Sequence, residues 1–289
     1  MGGYKIWING RFVDEDRAKV SVNDRGFMYG DGVFETMRSY AGVVFKLDEH
    51  LKRLYTSVDV LGIRPPCPKK RLEAVVYGAL RANRLDGAYI KVVVTRGEGR
   101  FGIGYEDKFM PTLVVVAKEF EGYPGWMFDR GISAAVAGIR QNEYSVLSRV
   151  KSLNFLGYIL ARFEAKDMGY DEAILANTKG RIVEAATSNI FLVKNGALAT
   201  PPVLDGALPG IERSVVVGIA GRLGIAVRQR AVAAADLERA DEIFLTNSLA
   251  EVLPVTGIGP RRVGSGSPGE ITKLLRICYQ KEVIRAVTY

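Results

Sequence analysis

Residues 121–131 read Glu-Gly-Tyr-Pro-Gly-Trp-Met-Phe-Asp-Arg-Gly, and they interrupt the chain between two buried strand patterns, 112–117 and 132–139. Gly122, Pro124 and Gly125 break any strand or helix that would cross them. A chain of 289 residues is long enough for one large or two medium domains. This break divides it into an N-terminal domain, 1–120, a linker, 121–131, and a C-terminal domain, 132–289.

Both parts mix strand and helix signals. In the first, 4–13 alternates around a turn at Asn9-Gly10, and 19–22, 33–40 and 43–45 read as further strands. Asp48 is placed to cap a helix whose apolar positions are Leu51, Leu54, Tyr55, Val58 and Leu61, and Gly62 ends it. Pro65-Pro66-Cys67-Pro68 turns the chain into a helix over 69–85, and strands follow at 88–95 and 112–117. In the second part, Asn154 is placed to cap a helix over 154–168 with Phe155, Ile159, Leu160 and Phe163 as its apolar stripe. Strands are expected at 172–175, 181–184, 189–193, 227–232 and 242–245, with helices at 210–223 and 235–239. Ser267-Pro268-Gly269-Glu270 is a capping box that starts the last helix. The fold class is α+β.

Several functions are excluded by what the chain lacks. Gly97-Glu98-Gly99-Arg100-Phe101-Gly102 matches G-x-G-x-x-G after a strand, but no helix follows to seat a pyrophosphate, so it reads as a mobile loop. Lys and Arg exceed Asp and Glu by 40 to 32, yet no basic region interleaves with aromatics. That balance suits an anionic small ligand and argues against nucleic acid. No apolar run approaches the roughly 18 residues of a membrane span. Two distant cysteines, Cys67 and Cys278, point to a reducing, cytoplasmic setting. The one histidine, His50, would have to serve any Ser-His-Asp triad or zinc site alone, so hydrolase and metal chemistry are not expected, and His50 reads as structural.

Lys151 lies between an apolar approach, 144–150, and the 154–168 helix pattern. Burial there would favour a neutral amine, which Schiff-base chemistry with an aldehyde cofactor requires. Glu184 ends a strand and is followed by the small residues Ala185 and Ala186, which leave room for a flat ligand. A carboxylate in that position suits the ring nitrogen of pyridoxal phosphate. Three elements could hold a phosphate: Arg53, the helix start at Leu208-Pro209-Gly210-Ile211-Glu212, and Thr246-Asn247-Ser248 at a strand end.

Together these motifs resemble the fold-type IV pyridoxal-phosphate enzymes: branched-chain aminotransferases, D-amino-acid aminotransferases and aminodeoxychorismate lyases. The resemblance covers nearly the whole chain. It rests on Asp24-Arg25-Gly26, Tyr29-Gly30-Asp31-Gly32-Val33-Phe34-Glu35 and His50-Leu51-Lys52-Arg53-Leu54, then on Lys151-Ser152-Leu153-Asn154, Glu184 to Phe191, Thr200-Pro201-Pro202, Leu208 to Ile211 and Ala240 to Thr246. It implies a small N-terminal α/β sandwich and a larger C-terminal domain with a barrel-like sheet, the cofactor between them, in a homodimer. It assigns Lys151 to the Schiff base, Glu184 to the pyridine nitrogen, and Arg53, Ile211, Glu212 and Ser248 to the phosphate.

Two departures from the family pattern stand out. Glu212 stands where many members have Thr, which removes a side-chain hydroxyl. Phe34 stands where D-amino-acid aminotransferases carry Tyr. Phe34, Arg38, Arg100 and Leu249 form the expected substrate set. Arg38 shares side-chain parity with Phe34, and Arg100 lies in the glycine-rich loop. The expected reaction is transamination between an amino acid, branched-chain-like, and a 2-oxo acid. The lyase is the alternative, followed by D-amino-acid transamination.

Overall fold

The structure is a computed structural model that describes residues 3–99, 102–104 and 109–288. It divides into two compact units.

The first unit is built on an antiparallel sheet of six strands. These are β1 (Lys5–Ile8), β2 (Arg11–Asp14), β3 (Gly32–Tyr40), β4 (Val43–Val44), β5 (Ala88–Thr95) and β6 (Thr112–Glu119), in the order β2-β1-β6-β5-β3-β4. Asn9 and Gly10 both have positive φ, 45° and 104°, and make the tight turn that joins β1 to β2. Residues 19–22, expected as a strand, form none, and Val20 and Val22 are exposed. The sheet ends at β2, and these residues add no strand beyond it. A short helix, α1 (Arg25–Tyr29), follows.

One face of this sheet carries α2 (Leu47–Val60) and α3 (Lys69–Asn83). Leu51, Leu54, Val58, Leu72, Val76 and Leu80 pack there on Val33, Met37, Ile90, Val92 and Val94. The i, i+3, i+7 stripe of α2 is the cause. Asp48 lies within the first turn of α2, and Lys46 is the N-cap. Because strand side chains alternate, Val33, Glu35 and Met37 point toward the helices, while Phe34, Thr36 and Arg38 point to the other face.

The second unit holds β7 (Ile132–Gln141), β8 (Glu172–Asn177), β9 (Arg181–Ala185), β10 (Asn189–Lys194), β11 (Ala197–Thr200), β12 (Val227–Gln229), β13 (Val232–Ala233), β14 (Glu242–Asn247), β15 (Glu251–Ile258) and β16 (Arg261–Arg262). The path runs β12-β11-β10-β14-β15-β7-β8-β9-β13, with β16 beside β15. The sheet curls: Ile182 and Val232 from one end share a core with Ile190, Leu192 and Leu245 from the other half. The helices are α4 (Trp126–Asp129), α5 (Leu156–Asp167), α6 (Ile211–Arg222), α7 (Ala234–Arg239) and α8 (Glu270–Thr288).

The unit boundary falls between Glu121 and Gly122, so most of the expected linker, including α4, belongs to the second unit. Val150–Asn154, placed by sequence in the C-terminal domain, belongs to the first. The apolar stripe of α5 also points the wrong way for a core. Ala161 and Ala165 pack on Ala135, Ala137 and Ala173, while Ile159, Leu160 and Phe163 are exposed. An alanine layer lets helix and sheet approach closely, and the bulkier side chains are left outside. Asn154 does not cap this helix, whose N-cap is Phe155. Its amide donates instead to the Gly30 carbonyl, at 3.0 Å.

Candidate active site

In the first unit, Val150–Asn154 docks on the free side of β3. Phe34 N–H donates to the Lys151 carbonyl, Leu153 N–H donates to the Gly32 carbonyl, both at 2.9 Å, and Val33 and Ser152 form a β-bridge. Gly32 permits this approach. A Cβ there would lie 2.6 Å from the Val94 carbonyl oxygen and 2.8 Å from Leu153 Cδ1. Lys151 is half-buried, with its ammonium 4.7 Å from the centre of the Phe34 ring.

A second lysine, Lys91 on β5, approaches the same ring at 4.9 Å. Lys91 stands opposite Thr36 in the β3–β5 register and so shares the face of Phe34. Burial pulls its pKa below the ordinary lysine value. Among the described residues no carboxylate pairs with it. The sequence reading missed Lys91. The available signal was a lone lysine inside the otherwise uncharged strand Ala88–Thr95.

Arg53, on α2, is held by a two-pronged fork. Its Nε donates to Glu35 Oε1 and its Nη2 to Glu35 Oε2, both at 2.7 Å. His50 Nδ1 lies 2.8 Å from Glu35 Oε2. Glu35 is fully buried. Burial pushes its pKa up, but the Arg53 charge and hydrogen bonds and the His50 hydrogen bond outweigh that and bring it from 4.5 to about 2.

Arg38 sits differently. It stacks between Tyr40, 4.4 Å from the ring centre, and Phe120, 5.0 Å, about 13 Å along β3 from Phe34 at the usual strand rise. It shares the face of Phe34 as parity requires, but the structure does not bring it to Lys151. Arg100 lies outside the described residues.

In the second unit, Glu184 is the penultimate residue of β9 and is buried. It accepts from Tyr158 Oη at 3.0 Å, from Leu208 N–H at 3.0 Å and, at 3.4 Å, from Gln141 Nε2. Gln141 also donates to Tyr158 Oη and to the Gly206 carbonyl, each at 2.8 Å. The amide therefore fixes the tyrosine oxygen as an acceptor on one side and leaves its hydrogen for Glu184. Burial, then the Glu184 charge, raise the Tyr158 pKa. Tyr158 and Gln141 carried no sequence signal, because each lies far along the chain from its partner.

Helix α6 begins at Ile211 after the N-cap Gly210, and no side chain caps it. A helix start of this kind, at Ile211 and Glu212, favours an anion through its first-turn N–H groups and its dipole. A Cβ at Gly210 would fall 1.8 Å from Asn189 Oδ1, so the Asn189 amide packs directly on the Gly210 backbone. Asn189 pairs with Thr246 across β10 and β14, which puts both side chains on one face. Thr246 Oγ1 is buried there without a hydrogen-bond partner. Asn247 Oδ1 accepts from Leu249 and Ala250 N–H, and its amide donates to Ser188 Oγ, so the turn carrying Ser248 and Leu249 is pinned. Both Ser248 and Leu249 are half-buried.

The class IV amino-transferase family model matches residues 32–258. The chain belongs to the class IV aminotransferases. A putative branched-chain-amino-acid aminotransferase of Methanocaldococcus jannaschii is 45% identical over 273 residues, 94% of each chain. A T.th. branched-chain amino acid aminotransferase, solved with pyridoxamine 5'-phosphate, superposes with a TM-score of 0.93 at 31% identity, covering 98% of this chain and 94% of that one. The 4-amino-4-deoxychorismate lyase of Pseudomonas aeruginosa superposes at 0.84 with 30% identity, covering 96% and 98%. This aminotransferase therefore has the fold-type IV architecture and is a pyridoxal-phosphate enzyme. The residues present fit that cofactor. The second unit offers an uncapped helix N-terminus beside an orphaned buried hydroxyl, and an orphaned buried polar atom is what a missing ligand leaves behind. Among the described residues there is no helix long and apolar enough to cross a membrane, and no cluster of three or more His, Cys, Asp or Glu that could hold a metal ion.

Proposed function

We propose that this aminotransferase moves an amino group between a branched-chain-like amino acid and a 2-oxo acid, with Lys151 as the group that joins the cofactor and shuttles the proton. The observation that carries this reading is the docking of Lys151 on β3 with its ammonium over Phe34. Pyridoxal phosphate, when bound, supplies an aldehyde for an amine and an electron sink for bond breaking at the substrate α-carbon.

The chain's own groups divide the remaining work. Glu184 would face the pyridine nitrogen and keep its proton in place. Arg53, the N–H groups of Ile211 and Glu212, and Ser248 would hold the phosphate. The Glu212 side chain contributes no hydroxyl, so its backbone serves. Phe34 and Leu249 supply apolar surface for the substrate side chain. Lys91 suits a substrate carboxylate, because a half-buried ammonium beside an apolar ring gains most from an anion. We assign the enzyme to the cytoplasm, in keeping with its two free cysteines. We also assign it to a homodimer, for which the exposed Ile159, Leu160 and Phe163 of α5 offer apolar surface.

The test is a half-reaction screen of the cofactor-loaded enzyme against L- and D-amino acids, read from the cofactor spectrum. L-leucine, L-isoleucine and L-valine should convert the spectrum. Lys151→Ala should fold, bind no borohydride-trappable cofactor and show no turnover. Lys91→Met should raise the apparent dissociation constant in at least one half-reaction. Reaction of D-alanine alone would overturn the branched-chain reading. Pyruvate release from aminodeoxychorismate without amino transfer to any 2-oxo acid would establish the lyase.

A further inference from the structure

We propose that Glu35, steadied by His50, is a positioning residue that orients the Arg53 guanidinium for the cofactor phosphate, so that selectivity for the phosphorylated cofactor is set from the helix-facing side of the sheet. This rests on the phosphate role given to Arg53 above.

The geometry supports it in three ways. First, Glu35 is fully buried in the first unit, on the face of β3 that carries α2 and α3. A carboxylate in such a place is retained only when it is paired and hydrogen-bonded. Second, its pairing is directional. Both oxygens grip Arg53, one on Nε and one on Nη2, at 2.7 Å each. A planar guanidinium held through two of its nitrogens has no rotation left, so the direction of its third nitrogen is fixed. Third, the one histidine of the chain, 1% exposed, closes on the same Oε2 from α2, three residues before Arg53. His50 thus restrains the carboxylate that restrains the arginine. The Arg53 side chain is 11% exposed, while Glu35 is sealed, so Glu35 acts through Arg53 rather than on a ligand. An arginine already neutralised by a buried carboxylate attracts anions less strongly than a bare one. What Glu35 supplies in exchange is a preset orientation, which lowers the cost of ordering the side chain when the phosphate arrives.

The test compares binding of pyridoxal 5'-phosphate with binding of pyridoxal, which lacks the phosphate, to the apoenzyme. The variants are Glu35→Gln, Glu35→Asp, His50→Gln, Arg53→Ala and the double variant Glu35→Gln/Arg53→Ala, with thermal unfolding of each as the folding control. A purely structural role would weaken both ligands alike. The positioning role predicts that Glu35→Gln weakens the phosphorylated ligand by about tenfold, about 1.4 kcal/mol, and leaves pyridoxal unchanged. The double variant should be no worse than Arg53→Ala, since Glu35 works through that residue. If Arg53→Ala leaves the preference for the phosphorylated ligand intact, the phosphate role of Arg53 is wrong. If Arg53→Ala abolishes the preference while folded Glu35→Gln keeps it, the positioning role is overturned. Should Glu35→Gln fail to fold, Glu35→Asp and His50→Gln decide: a full preference in both overturns the proposal, and a narrowed one supports it.

Discussion

Glu35 and Glu184 are both buried carboxylates, and they are held in opposite ways. Glu35 is gripped by the cationic fork of Arg53, with His50 beside it, and its charge is spent on those neighbours. Glu184 receives hydrogen bonds from a phenol, a primary amide and a backbone N–H. None of these three donors carries a charge, so none cancels the charge of Glu184. Neutral donors fix a carboxylate in place and leave its field available to a cationic partner, which a protonated pyridine nitrogen is. A cationic donor fixes a carboxylate and turns it into scaffolding.

The largest effect that could break this contrast is on turnover. Glu184→Gln keeps the shape and removes the charge, and turnover should fall about a thousandfold, about 4 kcal/mol, with cofactor still bound. Single-turnover kinetics on the loaded variant measure this. A fall smaller than about threefold would make Glu184 scaffolding as well.

Next is the acid stability of the apoenzyme. The Glu35 pKa is depressed, from 4.5 to about 2, so its stabilising contribution is complete above about 4.5 and is lost as pH falls toward about 2. At about 1.4 kcal/mol per unit the loss approaches about 3 kcal/mol. Urea unfolding of wild type and Glu35→Gln at pH 6 and pH 3 should show the difference between them shrinking at the lower pH. A constant difference would mean that Glu35 does not titrate in this window.

The smallest effect sharpens the contrast. Tyr158→Phe and Gln141→Leu each remove a neutral support of Glu184, and each should lower turnover by about tenfold, about 1.4 kcal/mol. The double variant should fall short of the product of the two, because Gln141 orients Tyr158. Independent, multiplying effects would show that the two residues do not form one relay.

Much of the architecture was legible in the chain. The Asn9-Gly10 turn, the α2 stripe and the interrupted middle each depend on local chemistry: positive φ at a tight turn, a 3.6-residue period, and a run of helix and strand breakers. The order of the motifs was enough for the family. Local pattern failed at α5, where it chose the large side chains for the core and the structure chose Ala161 and Ala165. Periodicity reports that a helix has an apolar face, but the depth of the surface it meets decides which face goes in.

What only the tertiary structure decided are the pairings across sequence. Glu35 meets Arg53 across 18 residues, Tyr158 meets Glu184 across 26, and Gln141 meets Glu184 across 43. Lys151 joins β3 of the first unit although the strands on either side of it in sequence, β7 and β8, belong to the second. Alternation along β3 determined that Glu35 and Phe34 point to opposite faces. It could not say that one face would hold an arginine and a histidine and the other two lysines, because a strand's own pattern sets the direction of its side chains and the packing of distant segments sets what they meet.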